Sequence, residues 1–133
     1  MSDLPLPPEG FRPFPSRSPY VNRAGAFYIR DGADGTRIVG AWVGPDQANT
    51  EGFAHGGFLL TFADFALSVL TMGITLSVTA DFLRPARVGD WIEAGINIRK
   101  SSDTLTFADA VVTSNGQDVL RVSGLFRPYE KKA

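Results

Sequence analysis

Apolar positions along the chain follow two periods, and the switch between them marks out the elements. From residue 57 to residue 72 the sequence reads GFLLTFADFALSVLTM, free of proline and of internal glycine. That is long enough for four helical turns and too long for an ordinary strand, so it predicts a helix, which Gly73 stops. The period then becomes two. Over residues 74–82 the even positions Ile74, Leu76, Val78, Ala80 and Phe82 are apolar, and the odd ones Thr75, Ser77, Thr79 and Asp81 are polar. Such alternation predicts a strand with one buried face.

Residues 91–100 alternate again, with Ile92, Ala94, Ile96 and Ile98 on one side. Residues 105–113 and 119–127 form two more strands joined around Asn115-Gly116, the strongest short hairpin signal. Ahead of the helix, residues 26–31 and 36–43 are β-rich runs joined by the turn Gly32-Ala33-Asp34-Gly35. That turn has the wrong spacing and too few ligands for a calcium loop. Tight turns make neighbouring strands antiparallel. The expected class is therefore α+β, an antiparallel sheet of five or six strands covered by one long helix.

Composition changes this picture mainly by subtraction. The 133 residues are one domain's length, with no second composition regime. Six of the nine prolines fall within residues 1–20, which predicts an extended arm ahead of a domain at residues 21–133. The arm has no apolar run, so it is not read as a secretory signal. Asp64 interrupts the longest apolar stretch, arguing against a membrane span, and the protein is expected to be cytoplasmic. Thirteen basic residues against 14 acidic ones leave a net charge of −1, which disfavours nucleic acid as a partner. With no cysteine and only one histidine, His55, thiolate nucleophiles and multi-histidine metal sites drop out, and neither metal nor cofactor is expected. Carboxylates, hydroxyls, amides, backbone groups and one imidazole remain.

Among these, Asp64 stands out as the only formal charge between Phe53 and Ala80. At 3.6 residues per turn Gly57, Thr61, Asp64, Ser68 and Thr71 share one stripe of the helix, and the rest of its circumference is apolar. Two readings of Asp64 stand side by side: a structural carboxylate satisfied by neighbouring hydroxyls, or a general base facing a cleft. At the start of the helix, His55-Gly56-Gly57 places backbone N–H groups at the positive end of the helix dipole, where an oxyanion would be stabilised. The same diglycine also serves simply as a tight way into a packed helix. No G-x-S-x-G elbow, P-loop or dinucleotide fingerprint is present.

Asn49 six residues before His55-Gly56-Gly57, Asp64 within F-A-D-F-A, and the run Phe82-Leu83-Arg84-Pro85-Ala86-Arg87-Val88-Gly89-Asp90 together carry a resemblance. Over residues 20–128 the chain resembles the hotdog-fold acyl-CoA thioesterases of the phenylacetyl-CoA thioesterase type. The resemblance implies an antiparallel sheet wrapped around a central helix, and hydrolysis of a small-to-medium acyl-CoA to free acid and coenzyme A. It implies that the Gly56 N–H meets the thioester carbonyl, that Asn49 helps polarise or orient it, and that His55 positions the thioester. Asp64 would activate water, or attack directly to give a mixed anhydride. Thr75 would help hold the water; the short link after the helix leaves Ser77 or Ser68 as substitutes. Gly57, Ser68 and Phe82 would contact substrate. A non-catalytic acyl-CoA-binding module and a hotdog hydratase or dehydratase are the alternative functions.

Helix geometry adds an expectation about assembly. Gly57 and Asp64 lie roughly 10 Å apart along the axis at 1.5 Å per residue, too far to touch one carbon from the same chain. Two antiparallel helices across a two-fold axis would bring Asp64 of one subunit opposite Gly56 of the other. A homodimer with shared active sites is therefore expected, alone or within a dimer of dimers. Arg84, Arg87, Arg99 and Lys100, at the ends of neighbouring strands, are read either as a solvated basic rim or as a cluster for the coenzyme A phosphates.

Overall fold

In a computed structural model that describes residues 5–129, both periods of the apolar pattern are realised. The first four residues of the expected arm and the last four of the expected domain lie outside the described residues. The elements run β1 (Arg12–Pro13), α1 (Pro19–Ala24), β2 (Phe27–Asp31), β3 (Arg37–Trp42), α2 (Gly56–Thr71), β4 (Gly73–Phe82), β5 (Trp91–Ser101), β6 (Thr106–Ser114) and β7 (Gln117–Pro128). All seven strands join one antiparallel sheet in the order β1-β2-β3-β5-β6-β7-β4. The α+β expectation holds, and the strand beyond the expected five or six is β1, two residues of the proline arm paired with β2. Asn115 and Gly116, at φ 53° and 76°, make the β6–β7 turn in the left-handed conformations that an Asn-Gly hairpin uses.

The chain crosses the sheet through α2 and returns as β4 on the far edge, so the helix packs over β4, β5, β6 and β7. Its buried residues Phe58, Leu59, Phe62, Ala63, Phe65, Ala66 and Leu67 cover the face opposite the polar stripe. Phe27 of β2 meets Phe58, Phe62 and Phe65, with ring centroids 6.0, 5.5 and 5.2 Å away, and Phe14 of the arm meets Phe65 at 5.5 Å. Tilted and edge-on aromatic pairs of this kind add about 0.5–1.5 kcal/mol each beyond area burial. The arm is thus packed against the domain, and part of it is helical. Ser18 caps α1 by accepting from the Val21 N–H at 3.3 Å, with Pro19 in the first turn. The expectation of a wholly extended arm fails because Ser-Pro is itself a helix start: proline lacks only the N–H that a first turn leaves unused.

Two expectations about the end of α2 also need correcting. Gly73 does not supply the left-handed stop; Met72 does, at φ 54° and ψ 46°. Gly73 already belongs to β4, and a Cβ there would lie 3.1 Å from the Arg127 carbonyl oxygen. Its glycine answers close approach of β7 rather than a turn. Nor is the apolar face of β4 buried, since Ile74, Leu76, Val78 and Phe82 are all exposed. β4 is an edge strand whose pairing shifts between Thr75 and Ser77, leaving Leu76 as an extra, bulged residue.

On the outer face of the sheet Trp91 collects Phe11, Tyr28 and Trp42 at 4.9, 5.8 and 5.0 Å, and donates from Nε1 to Glu93 at 2.9 Å. Gly40 of β3 lies under the Trp91 ring, and a Cβ at that position would run into it. Gly40→Ala should therefore lower unfolding stability by about 1–3 kcal/mol. Urea unfolding followed by tryptophan fluorescence checks this; an unchanged midpoint would contradict the packing.

Candidate active site

Everything ahead of α2 serves to fix where it begins. The His55 N–H donates to the Gln47 carbonyl at 2.8 Å, and Ala54 donates to the Ala86 carbonyl at 2.7 Å. Val88 donates to Gly52, and Phe53 bridges Arg87. The 84–90 turn therefore clamps the 49–55 segment from outside. It is closed by the Arg87 N–H donating to the Asp90 carboxylate at 2.9 Å, with Gly89 at φ 96°. With the chain so held, His55 becomes the N-cap of α2: its Nδ1 accepts from the Gly57 N–H at 2.8 Å. The sequence predicts unpaired N–H groups here, and His55 takes that of Gly57. Among the described residues no hydrogen bond engages the Gly56 N–H. The Phe82 ring covers Gly56 so closely that a Cβ there would lie 3.3 Å from it.

Asp64 sits two turns further along the stripe, half-buried with Thr61, Ser68 and Thr71. The hydroxyls of Thr61 and Thr71 donate back to the carbonyls of Gly57 and Leu67 at 2.9 and 2.7 Å, and that of Ser68 to Gly73 at 2.8 Å. None of these three answers the carboxylate. Thr75 does, its hydroxyl donating to Asp64 Oδ1 at 2.5 Å. That is the length of a charge-assisted O–H···O⁻ bond. Strict alternation would put Thr75 and Phe82 on opposite faces of β4. Their cross-strand partners Phe126 and Leu120 are both buried on the helix side of β7, so the bulge at Leu76 brings Thr75 round to the face of Val78, Ala80 and Phe82. Ser68 is committed to Gly73 and Ser77 pairs with Leu125 on the other face, so neither replaces Thr75 at the carboxylate.

Other expected site residues are placed less centrally. Asn49 accepts at Oδ1 from the N–H groups of Glu51 and Phe53, at 2.9 and 3.1 Å, so its carbonyl end belongs to its own loop. The Nδ2 end, which is the donor, makes no hydrogen bond among the described residues. Arg87 lies 5.2 Å over the Phe53 ring, and Arg84 reaches the Asp118 carbonyl at 3.5 Å. The four-residue basic cluster does not form. Arg84 and Arg87 precede the first residue of β5, whereas Arg99 and Lys100 are at its far end, about 30 Å away at 3.3 Å per residue. Arg99 is also held by Asp109 at 2.6 Å.

Beside the start of α2 lies a cleft of about 300 Å³, walled by α1, the 46–48 turn and the helix residues Gly57, Phe58 and Thr61. Tyr20 of α1 reaches Thr61 across it, hydroxyl to hydroxyl, at 3.2 Å. No feature of the stripe pointed to Tyr20; the Ser18-Pro19 cap signal was the available clue. Among the described residues no helix is long and apolar enough to cross a membrane, and no three of His, Cys, Asp and Glu gather to hold a metal ion.

A lone carboxylate answered by a hydroxyl, an unbonded N–H at a glycine helix start, and a seven-stranded antiparallel sheet packed on that helix define a class that comparison with known proteins makes explicit. Residues 51–120 match the family described as the thioesterase superfamily. A Pseudomonas aeruginosa protein with a provisional esterase name is 33% identical over 127 residues, covering 90% of this chain and 95% of that one. The chain belongs to the thioesterase superfamily, and its fold is the hotdog fold. A variant of the phenylacetic acid degradation protein PaaI from Thermus thermophilus superposes with a TM-score of 0.70 at 30% identity, over 83% of this chain and 99% of that one. A Streptococcus mutans protein solved with acetyl-CoA bound superposes with a TM-score of 0.72 over 80% and 91%; at 24% identity it speaks to the fold alone.

The cap on α2 gives a direct expectation. His55→Ala should cost about 1 kcal/mol of stability, and His55→Asn, which retains an acceptor at the cap, a few tenths. Thermal unfolding of the two variants checks it, and equal losses would contradict the capping role.

Proposed function

We propose that this protein is an acyl-CoA thioesterase that hydrolyses a small-to-medium acyl-CoA to the free acid and coenzyme A. The observation that carries the reading is the Asp64–Thr75 pair on the half-buried stripe of α2, in a chain of the thioesterase superfamily. Thr75 occupies one carboxylate oxygen and leaves the other to accept a proton from water. The Thr75 oxygen keeps lone pairs with which to hold that water. Asp64 takes the proton as hydroxide adds to the thioester carbon, and the Gly56 N–H stabilises the resulting oxyanion, with Asn49 Nδ2 as a second donor to it. The C–S bond then breaks, the acid leaves, and the proton on Asp64 passes to the coenzyme A thiolate. Direct attack by Asp64 to form an anhydride uses the same groups.

No single chain brings Gly56 and Asp64 to one carbon. They are eight residues apart on α2, about 12 Å along its axis. The site is therefore shared in a homodimer, Asp64 of one subunit facing Gly56 of the other. The exposed edge of β4 supports this, because Val78 and Phe82, exposed on the same face as Thr75, line an edge that no other strand covers among the described residues. His55 positions the thioester through the start of the helix, and Phe82 packs against the acyl carbonyl beside Gly56. Arg84 and Arg87, on the turn clamping that start, take the coenzyme A phosphates.

Replacing the base tests this most simply. Asp64→Asn should lower kcat for thiol release from phenylacetyl-CoA and hexanoyl-CoA by about 10²–10⁴-fold, with an unchanged circular dichroism spectrum. Full turnover by the variant would remove Asp64 from the chemistry.

A further inference from the structure

The cleft at the start of α2 is larger than a water and a carbonyl require, and much of its wall comes from outside the segment that defines the family. Tyr20, Ala24, Asp46 and Gln47 line it, and all precede residue 51, where the family match begins. Its volume of about 300 Å³ stands at the lower end of ligand pockets, which run to about 1,000 Å³. Ala24 and Phe58 make apolar surface, while Asp46 and Gln47 bring polar groups.

The wall provided by α1 is built into the fold. Ser18 caps the short helix, and the Asn22 side chain bonds both ways with the Ser16 backbone, at 2.9 and 2.6 Å. Gln47 Nε2 donates to the Ala24 carbonyl at 2.9 Å, tying the other end of α1 to the 46–48 turn. Tyr20 differs from these. It is 68% exposed, and the hydrogen bond to Thr61 is the contact that aims its ring. His55 and Gly57 of its wall flank the Gly56 N–H, so the cleft adjoins the oxyanion donor at the start of α2.

We propose that this cleft is the acyl subsite of the thioester, that Tyr20 closes it and sets the acyl length it takes, and that Asp46 excludes acyl groups carrying a second carboxylate. The assignment rests on the acyl-CoA reading above. A neutral acyl chain enters past His55 and Gly57 and ends against the Tyr20 ring, so a longer chain must displace that ring and break its bond to Thr61. A dicarboxylic acyl group would bring a like charge against Asp46 at the cleft wall.

The test compares the full-length protein with Tyr20→Ala, Tyr20→Phe and Asp46→Asn on butyryl-, hexanoyl-, octanoyl-, decanoyl- and glutaryl-CoA. Turnover gives kcat/KM, and calorimetric titration in an Asp64→Asn background gives affinity without hydrolysis. Tyr20→Ala should raise the decanoyl-to-butyryl ratio at least about tenfold in both measurements, and Tyr20→Phe should shift it less in the same direction. Asp46→Asn should raise the glutaryl-to-butyryl ratio by a similar factor. Ratios within twofold of the parent would overturn the subsite, as would failure of every ester to bind. If the esters bind with the expected ratios and none is hydrolysed by the parent, the hydrolase reading fails while the subsite stands.

Discussion

A half-buried carboxylate on the polar stripe of an otherwise uncharged helix has to be answered by a donor, and the hydrogen bond from Thr75 to Asp64 is the interaction on which the site's geometry depends. Hydrogen bonds to charged groups contribute about 1.5–3 kcal/mol, against a larger loss when the charge is left unanswered. The donor comes from the strand directly after the helix, so the bond also fixes how β4 returns along α2. A bulge makes it reachable. Leu76 absorbs one residue of register, which lets Thr75 and Phe82 share a face that plain alternation would divide between them. The one bond thereby couples helix, edge strand and the carboxylate.

At the other end of the helix the constraint is positional. Three carbonyls, those of Gln47, Ala86 and Gly52, together with the Asp90 carboxylate, hold the segments on either side of His55. Given that clamp, the imidazole caps the second N–H of the helix, and the first makes no hydrogen bond among the described residues. Glycine at position 56 leaves room for the Phe82 ring, which a Cβ there would meet at 3.3 Å. The shape of the helix start thus follows from loop hydrogen bonds rather than from helix propensity, which glycine disfavours.

Much of this was legible in the sequence because hydrophobic period is a strong signal. The helix and six strands, the Asn115-Gly116 turn and the isolation of Asp64 all follow from spacing and residue type. What failed did so for local reasons. Alternation cannot show a bulge, so β4 read as buried on one face when it is a twisted edge. Gly73 resembled a helix stop although Met72 takes the left-handed turn, because a glycine needed for close approach looks the same as one needed for φ. The proline count hid α1, whose Ser18-Pro19 start uses a proline where a helix accepts one. The four basic residues were grouped by their nearness to strand ends, without regard to which end of β5 each occupied.

On the proposed function the working unit is two chains with antiparallel central helices, each contributing a carboxylate to one site and an N–H to the other. Gly56→Pro isolates the N–H. Proline suits the first helical position, and the extended ψ of 138° at His55 suits a residue before proline. The most direct measurement is thiol release by an equal mixture of Asp64→Asn and Gly56→Pro chains, unfolded and refolded together. Random pairing makes about half the dimers mixed, each with one intact site of two, so about a quarter of the parent activity should return. A mixture that forms mixed dimers yet stays as inactive as either variant alone would contradict the shared site.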